Sequence, residues 1–247
     1  MTVKVLVLGG TTEARLLSHH LDADPEVEVT VSLAGRTSTA ATYGGTTRVG
    51  GFGGVDALAE HLVSSRYDAV IDVTHPFAAT MSAHAATAAD RAGVPRLRVE
   101  RPPWRSQIGD RWTEVDDAAA AASTLTSLGS RRALITIGRS DLDAFTSLPD
   151  VHLVVRSIEA VDDQSPANIV FIQARSPFGV DDETTLLDHH RIDTLVTKNS
   201  GGDDAKLIAA RERRVGVVMI RRPAGPPGPT VADVDGALRW VRSLTSR

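Results

Sequence analysis

Cysteine, aromatic side chains and net charge are all scarce in this chain of 247 residues. The absence of cysteine excludes disulfides, thiolate metal ligands and thiol nucleophiles. Aromatic residues make up only 4% of the chain, so we expect no aromatic platform for stacking nucleic-acid bases. The formal net charge of −4 argues against a general binder of nucleic acids or of membrane surfaces.

Long apolar runs and several catalytic signatures are also missing. No stretch reaches the roughly 20 apolar residues that cross a membrane, so we expect no membrane partner. The first apolar run meets Gly9 too early for the core of a signal peptide, and we expect a cytoplasmic protein. The chain lacks the P-loop, H-E-x-x-H, G-x-S-x-G and Y-x-x-x-K patterns. Adjacent histidines such as His19 and His20 do not face one ligand on a helix, so we predict no metal site.

What the chain does contain is a regular alternation of short apolar runs with helical patterns. Such an alternation predicts βαβ units with parallel sheets. The predicted strands cover residues 4–8, 27–33, 46–49, 69–73, 96–99, 132–137, 151–155, 169–173, 194–197 and 215–220. The predicted helices cover residues 12–21, 55–65, 77–92, 116–128, 181–190, 203–213 and 231–243.

Residues 100–112 (ERPPWRSQIGDRW) interrupt this alternation with prolines, a glycine and a change of polarity. Such a stretch is typical of a linker or crossover. We therefore predict an α/β fold with two Rossmann-like lobes, parallel sheets and a cleft between the lobes. The lobes are predicted at residues 1–110 and 111–247. A cleft of this kind is a common place for a ligand.

The first predicted strand ends in a glycine loop that runs directly into a helix. The dinucleotide fingerprint G-x-G-x-x-G/A finds its first and last positions in Gly9 and Ala14, but Thr11 replaces the middle glycine. Thr11 offers a hydroxyl and a backbone N–H at a helix N-terminus, and both suit an anion. The alternative interpretation is that Gly10 or Thr11 only caps the helix, with Glu13 complementing the helix dipole.

The second predicted strand ends without the acidic residue that usually holds the ribose 2′-hydroxyl of NAD. A cation and three hydroxyls stand there instead, in Ser32, Arg36, Thr37 and Ser38. That set suits a 2′-phosphate, so the sequence favours NADP(H) over NAD(H). A solvated loop arginine is the alternative interpretation.

A second glycine cluster follows the third predicted strand and precedes a helix. It consists of Gly50, Gly51, Phe52, Gly53 and Gly54. Four glycines in five residues uncover backbone N–H groups at a helix start, and turn geometry alone rarely needs so many. We therefore expect this cluster to approach the cofactor closely.

The fourth predicted strand ends in the sequence DVTHPFA, which contains Asp72, Thr74 and His75. In an open parallel sheet the carboxyl ends of strands are where ligands bind. We expect these three residues near the nicotinamide, as candidates for catalysis or for orientation of the substrate. Histidine is the usual acid–base residue, although a lone histidine is more often structural. Asp72 is the more structural candidate, because an acid at a strand end often caps a neighbouring loop.

The predicted strands of the second lobe all end in cations, at Arg139, Arg156, Arg175, Lys198, Arg221 and Arg222. In a parallel sheet these ends meet at one edge, which would concentrate positive charge in a protein of net charge −4. We therefore predict a ligand with several carboxylates, bound by Arg139, Arg156, Arg175 and Lys198. The loop Asn199, Ser200 and Gly201 adds further donors. Solvated surface cations are the alternative interpretation.

Six motifs in this chain, LVLGGTTEAR, GGFGG, DVTHPFA, RPPW, TIGR and KNSGG, together resemble the precorrin-6A reductases of cobalamin (vitamin B12) biosynthesis. The resemblance implies two Rossmann-like lobes and an NADPH-dependent reduction of one double bond in the precorrin-6A macrocycle, giving precorrin-6B. It also implies a tetrapyrrole polycarboxylate as substrate. By the same resemblance, the cofactor residues are Gly9, Gly10, Thr11 and Thr12, with Arg36 near the 2′-phosphate and Gly51, Phe52, Gly53 and Gly54 close by. Residues 1–110 would then hold NADPH, and residues 111–247 the substrate carboxylates.

Two alternatives remain open from the sequence. One is an NADP-dependent reductase that acts on another anionic small molecule. The other is a nucleotide-binding module without catalysis. Oxidation of NADPH that depends on an added tetrapyrrole distinguishes all three.

Overall fold

The computed structural model describes residues 2–35, 42–157, 166–174 and 177–245, without the side chains of Arg139 and Ser140. Its strands are β1 (Val3–Leu8), β2 (Val27–Leu33), β3 (Thr46–Val49), β4 (Ala69–Asp72), β5 (Arg96–Val99), β6 (Trp112–Val115), β7 (Arg132–Ile135), β8 (His152–Ser157), β9 (Ile169–Gln173), β10 (Thr194–Lys198), β11 (Gly216–Ile220) and β12 (Thr230–Val231). Its α-helices are α1 (Thr12–Asp22), α2 (Val55–Ser64), α3 (Ala79–Ala92), α4 (Ala118–Ser127), α5 (Val180–His189), α6 (Ala205–Glu212) and α7 (Val234–Thr245). A 3₁₀ helix covers Arg139–Phe145. No described helix is long and apolar enough to cross a membrane.

The first unit, Met1–Pro102 with Pro223–Arg247, contains a six-stranded parallel sheet in the order β12-β5-β4-β1-β2-β3. Its central strand β1 is apolar except for Lys4, because both of its faces are covered. Val5 and Val7 pack in the core that α1 and α7 complete, whereas Leu6 and Leu8 pack against α2 and α3. The strand order reverses between β1 and β4, so the carboxyl ends of these two strands border the crevice in which doubly wound sheets bind ligands.

The C-terminal segment belongs to the first unit, although the predicted division placed it in the second lobe. β12 continues the first sheet beside β5, with Thr230 opposite Arg98 and Val231 opposite Val99. α7 then buries Ala237 and Val241 in the core that α1 also lines. The apolar face of α7 explains the difference, because it covers the sheet surface that α1 leaves open. The predicted helix at 231–243 accordingly begins later, at Val234.

The second unit, Pro103–Arg222, contains a six-stranded parallel sheet in the order β6-β11-β10-β7-β8-β9. From β7 the chain adds β8 and β9 on one side and β10 and β11 on the other, as the first sheet adds β2 and β3 and then β4 and β5 around β1. The strand order therefore reverses between β7 and β10. β6 lies at the edge and begins at the last residue of the stretch 100–112, directly before the segment that was predicted as a helix from residue 116. β7 is followed by the 3₁₀ helix and not by an α-helix, which distinguishes its strand end from that of β1. The doubly wound parallel sheets confirm the predicted α/β fold class.

Candidate active site

A pocket opens at the carboxyl ends of β1, β4 and β5, in the crevice of the first sheet. It is lined by Thr11, Glu13, Val73, Thr74, Pro76, Val99 and Arg101. These residues come from the start of α1 and the residue before it, from the end of β4 and the segment after it, and from the end of β5 and the segment after it. The crevice therefore brings together the predicted cofactor loop and the DVTHPFA segment.

Thr11 joins the two sides of this crevice. Its hydroxyl donates to the carbonyl oxygen of Val73 at 2.7 Å and accepts from the backbone N–H of Ala14 at 3.1 Å. The hydroxyl thus caps α1 and holds the end of β4, so its hydrogen is already used. What the loop can offer to an anion is its backbone N–H groups at the start of α1.

The two glycines before Thr11 serve different purposes. A Cβ on Gly9 would lie 2.9 Å from Cγ1 of Val31, so Gly9 allows β1 and β2 to pack closely. Gly10 has φ of +112°, a conformation that L side chains rarely adopt, and a Cβ there would meet nothing within 4 Å. Gly10 therefore leaves an open backbone surface at the N-terminus of α1, next to Thr11 and Thr12. Uncovered backbone N–H groups at a helix N-terminus are groups that can bind an anion.

Glu13 and Arg101 form an ion pair of 2.7 Å in the lining of the pocket. Burial alone would raise the pKa of Glu13, but the hydrogen bond and charge of Arg101 outweigh it, and the pKa is lowered. Glu13 therefore stays ionised and paired. Arg101 balances the negative charge of Glu13 at the N-terminal end of α1, where the sequence predicts that a phosphate binds.

Arg48 is a residue that the sequence motifs did not single out. It lies on β3 opposite Ser32 of β2, at the carboxyl edge of the first sheet. Its Nη1 donates to Ser32 Oγ at 2.7 Å and to the carbonyl of Gly50 at 3.1 Å, and Nη2 donates to the carbonyl of Gly51 at 3.3 Å. The guanidinium lies 3.9 Å from the ring centroid of Phe52. The signal was present in the sequence, since Arg48 stands just before the second glycine cluster.

The second glycine cluster surrounds this arginine and leads into α2. Gly54 is the N-cap residue of α2, with φ of +119°, and a Cβ added there would meet nothing within 4 Å. A Cβ added at Gly53 would meet only Ala57, at 3.7 Å. Ser32 and the cluster from Gly51 to Gly54 thus lie at one edge of the sheet, and their approach to a cofactor stays a prediction. Arg36 and Thr37, predicted near the 2′-phosphate, lie outside the described residues.

Asp72 is a buried structural carboxylate at the end of β4, only 1% exposed. Its Oδ1 accepts from both the backbone N–H and the hydroxyl of Thr74, at 3.1 and 2.7 Å. Its Oδ2 lies 3.4 Å from Nη1 of Arg98. The Nε of Arg98 donates to Oε2 of Glu100 at 3.0 Å. The carboxylate therefore fixes Thr74 in the pocket lining.

His75 is exposed at the same strand end. Its Nδ1 accepts the backbone N–H of Phe77 at 3.2 Å. This bond places the proton of the neutral ring on Nε2, which then acts as a donor. The ring also lies 5.8 Å from the ring of Phe77.

The described cations at the strand ends of the second unit all have partners. Arg156 pairs with buried Glu183 at 2.9 Å and stacks 4.3 Å above Phe178. Lys198 pairs with Asp141 at 2.5 Å. The side chain of Arg139 and all of Arg175 lie outside the described part of the chain. Positive charge at this edge is therefore largely balanced within the unit.

The last two cations and the loop after Lys198 also have partners within the unit. Arg221 pairs with Glu114 and Asp116, and Arg222 donates to the carbonyl of Asn199. The Asn199 side chain accepts from Trp104 N at 2.8 Å and donates to Trp104 O at 3.1 Å. The Asn199–Ser200–Gly201 loop thus anchors the RPPW segment, a role that spacing alone does not reveal.

The first unit fits a nicotinamide dinucleotide better than the second does. It offers the open backbone at Gly10, the start of α1, and the neutral strand end of β2 beside Arg48. No acid stands at the end of β2. In the second unit β7, the counterpart of β1, leads into a 3₁₀ helix. Asp141 of that helix pairs with Lys198 at the end of β10.

Known proteins resemble this chain over nearly its whole length. The family described as "Precorrin-6x reductase CbiJ/CobK" matches residues 4–242. The precorrin-6A reductase of Rhodococcus erythropolis is 47% identical over 247 residues, 99% of each chain. That of Mycobacterium tuberculosis (strain H37Rv) is 44% identical over 248 residues, also 99% of each chain. A solved structure titled "CobK precorrin-6A reductase" superimposes with a TM-score of 0.92 at 40% identity, covering 98% of this chain and 97% of that one. The chain therefore belongs to the precorrin-6x reductase CbiJ/CobK family.

Proposed function

We propose that this protein reduces one double bond of the precorrin-6A macrocycle with NADPH, giving precorrin-6B in cobalamin biosynthesis. The observation that carries the proposal is the family match over residues 4–242, with a relative that is 47% identical over 99% of the chain. The geometry supports it, because the crevice of the first sheet joins the glycine loop to the DVTHPFA segment. When bound, NADPH supplies the hydride. The protein then has to bind the cofactor and the substrate, orient them, and exclude competing reactions.

In this proposal the first unit holds the cofactor. Backbone N–H groups of Gly10, Thr11 and Thr12 at the start of α1 bind the pyrophosphate. Ser32, with the loop that contains Arg36 and Thr37, binds the adenosine ribose and its 2′-phosphate. Gly9 keeps the strands close, and the cluster from Gly51 to Gly54 approaches the adenosine side.

The DVTHPFA segment orients the reacting end. Asp72 holds Thr74 through two hydrogen bonds, and Thr74 lines the pocket. His75 presents a ring whose Nε2 donates, which suits a hydrogen bond to a carbonyl of the substrate or to the nicotinamide carboxamide. We therefore assign His75 and Thr74 to the reaction and Asp72 to their positioning.

The second unit is proposed to bind the carboxylates of the tetrapyrrole. Lys198 is the favoured contact, because its side chain is 18% exposed and its partner Asp141 is 33% exposed. A substrate carboxylate then exchanges with Asp141. Arg139 and Arg175 are assigned to the same carboxylates, while Arg156 is held by Glu183 and supports the strand end from inside. Asn199, Ser200 and Gly201 shape the neighbouring loop.

The test is an assay of NADPH oxidation by the purified full-length protein under anaerobic conditions. The oxidation is monitored as the loss of absorbance at the nicotinamide band. We expect oxidation only when precorrin-6A is added, with a product two hydrogens heavier by mass spectrometry. Oxidation with an unrelated anionic carbonyl compound, and none with the tetrapyrrole, would favour the other reductase. Tight NADPH binding without any turnover would favour a binding module.

A further inference from the structure

Unlike Arg156, Lys198 and Arg221 at the strand ends of the second unit, which pair with carboxylates, Arg48 is held by neutral groups. Its three hydrogen bonds go to a serine hydroxyl and to two backbone carbonyls, all of them neutral acceptors. No described carboxylate forms a salt bridge with it. Its positive charge is therefore not balanced by an acid within the described residues, although it stands at a ligand-binding edge of the sheet.

The contacts also fix the guanidinium in one orientation. The bonds to Ser32, Gly50 and Gly51 and the stacking on Phe52 use three of its five N–H groups, so two N–H groups have no partner among the described residues. A guanidinium held in this way loses little side-chain entropy when it binds an anion. Ser32, a buried residue, accepts from Arg48 and keeps its own hydroxyl hydrogen for another acceptor.

The place of Arg48 in the fold identifies the anion. In a doubly wound sheet, the end of the second strand is where the adenosine ribose of a dinucleotide lies. The register places Arg48 directly beside Ser32 at this end. We propose that Arg48 and Ser32 form a rigid site for the 2′-phosphate and are the residues that select NADPH over NADH. This inference rests on the proposed NADPH dependence and adds a residue outside the loop of Arg36.

A structural role for Arg48 is the alternative, since it also ties down the carbonyls of Gly50 and Gly51. The two roles differ in what they predict for ligands without a 2′-phosphate. Loss of a structural support weakens NADP⁺ and NAD⁺ together. Loss of a phosphate contact weakens only the ligand that carries the 2′-phosphate.

The experiment measures dissociation constants by calorimetry on the full-length protein, with NADP⁺, NAD⁺, adenosine 2′,5′-bisphosphate and 5′-AMP. The variants are Arg48→Ala, Arg48→Lys and Ser32→Ala. Arg91→Ala is the matched control, because it removes one positive charge from the same unit, where Arg91 pairs with exposed Asp56. Arg36→Ala measures the contribution of the neighbouring loop.

We expect Arg48→Ala to weaken NADP⁺ and the bisphosphate about ten- to a hundredfold, with little change for NAD⁺ and 5′-AMP. Arg48→Lys keeps the charge without the planar fork and should fall between wild type and Arg48→Ala; it also serves as the readable variant if Arg48→Ala fails to fold. Arg91→Ala should behave as wild type.

An unchanged affinity of Arg48→Ala for NADP⁺, or a parallel loss for NADP⁺ and NAD⁺, overturns the inference. Equal binding of NADP⁺ and NAD⁺ by the wild type overturns it too, while leaving the reductase proposal intact. Failure of the wild type to bind any of the four ligands defeats the NADPH proposal itself, and the inference with it.

Discussion

The two units wind their sheets in the same order but end their strands in different chemistry. At the carboxyl edge of the first sheet stand glycines, a capped helix start and an arginine held by neutral acceptors. At the corresponding edge of the second sheet stand cations, each described one with a partner of its own, such as Glu183 for Arg156 and Asp141 for Lys198. A charged residue at a strand end therefore indicates a ligand site only where no neighbouring residue of opposite charge already pairs with it.

The same contrast holds for the buried ion pairs. In the first unit, Asp72 and Arg98 lie under the pocket, and Asp72 holds Thr74 in the lining. In the second unit, Glu183 and Arg156 stabilise the end of β8. Loss of either pair should lower the stability of the fold, but only loss of the Asp72–Arg98 pair should also lower the rate of the proposed reaction.

The largest expected effect is the loss of one partner from these pairs. Asp72→Asn should lower the free energy of unfolding by about 3 kcal/mol, because it leaves a buried arginine charge under-compensated. It should also lower turnover, since Thr74 loses its anionic acceptor. Glu183→Gln is the matched control: a similar loss of stability in chemical denaturation, with turnover unchanged. Equal effects of both variants on turnover would contradict the contrast between the two pairs.

The next largest effect concerns the open backbone at Gly10. Gly10→Val places a side chain where a phosphate is proposed and forces a conformation unfavourable for valine. NADPH should bind on the order of a hundredfold more weakly, equivalent to about 2.7 kcal/mol. Gly93→Val is the control, because Gly93 also has positive φ and open space but caps the far end of α3. Calorimetry should show normal NADPH binding for this control; a parallel loss would mean that backbone strain alone explains Gly10.

A smaller effect is expected from Lys198 in the second unit. Lys198→Ala should raise KM for the tetrapyrrole about tenfold with kcat kept, through loss of one charged hydrogen bond. The wild-type KM should also rise with ionic strength, because the Lys198–Asp141 pair is partly exposed. Arg213→Ala, which removes an exposed pair with Asp188, is the control. An unchanged KM in steady-state kinetics would leave Lys198 with a structural role in its pair with Asp141.

The smallest effect is a pH dependence of stability that both units share. Burial lowers the pKa of His61 in the first unit and of His190 in the second, helped by neighbouring positive charges. The unfolded chain therefore takes up protons near pH 6.5, the ordinary value, before the folded protein does. Stability should be complete above this value and decline as pH falls below it. Thermal unfolding across this range should show the decline, and His61→Gln should reduce it. A flat profile in the wild type would contradict the shifted pKa values.

The bounds predicted for β2, β3, β5 and β9 agree with the structure, because β-branched residues in each strand are closely flanked by glycine, proline or polar residues. Burial did not decide this, since β2 and β5 are buried whereas β3 is a mostly exposed edge strand. The strands β6 and β12 were missed, since they follow the proline-containing segments 100–111 and 221–229 and have only four and two residues. The 3₁₀ helix after β7 was missed for a similar reason: its seven residues form no long amphipathic repeat.

By itself, the sequence determined the alternating α/β architecture, the glycine loops and the family motifs, because these depend on residues that are close in the chain. The tertiary structure alone decided the partners. Lys198 meets Asp141, Asn199 meets Trp104, and Arg48 meets Ser32 through the register of β2 and β3. Each of these contacts joins residues that are distant in the chain. A charge is balanced or available according to which atoms lie within a few ångströms of it, and folding, not spacing along the chain, sets those distances.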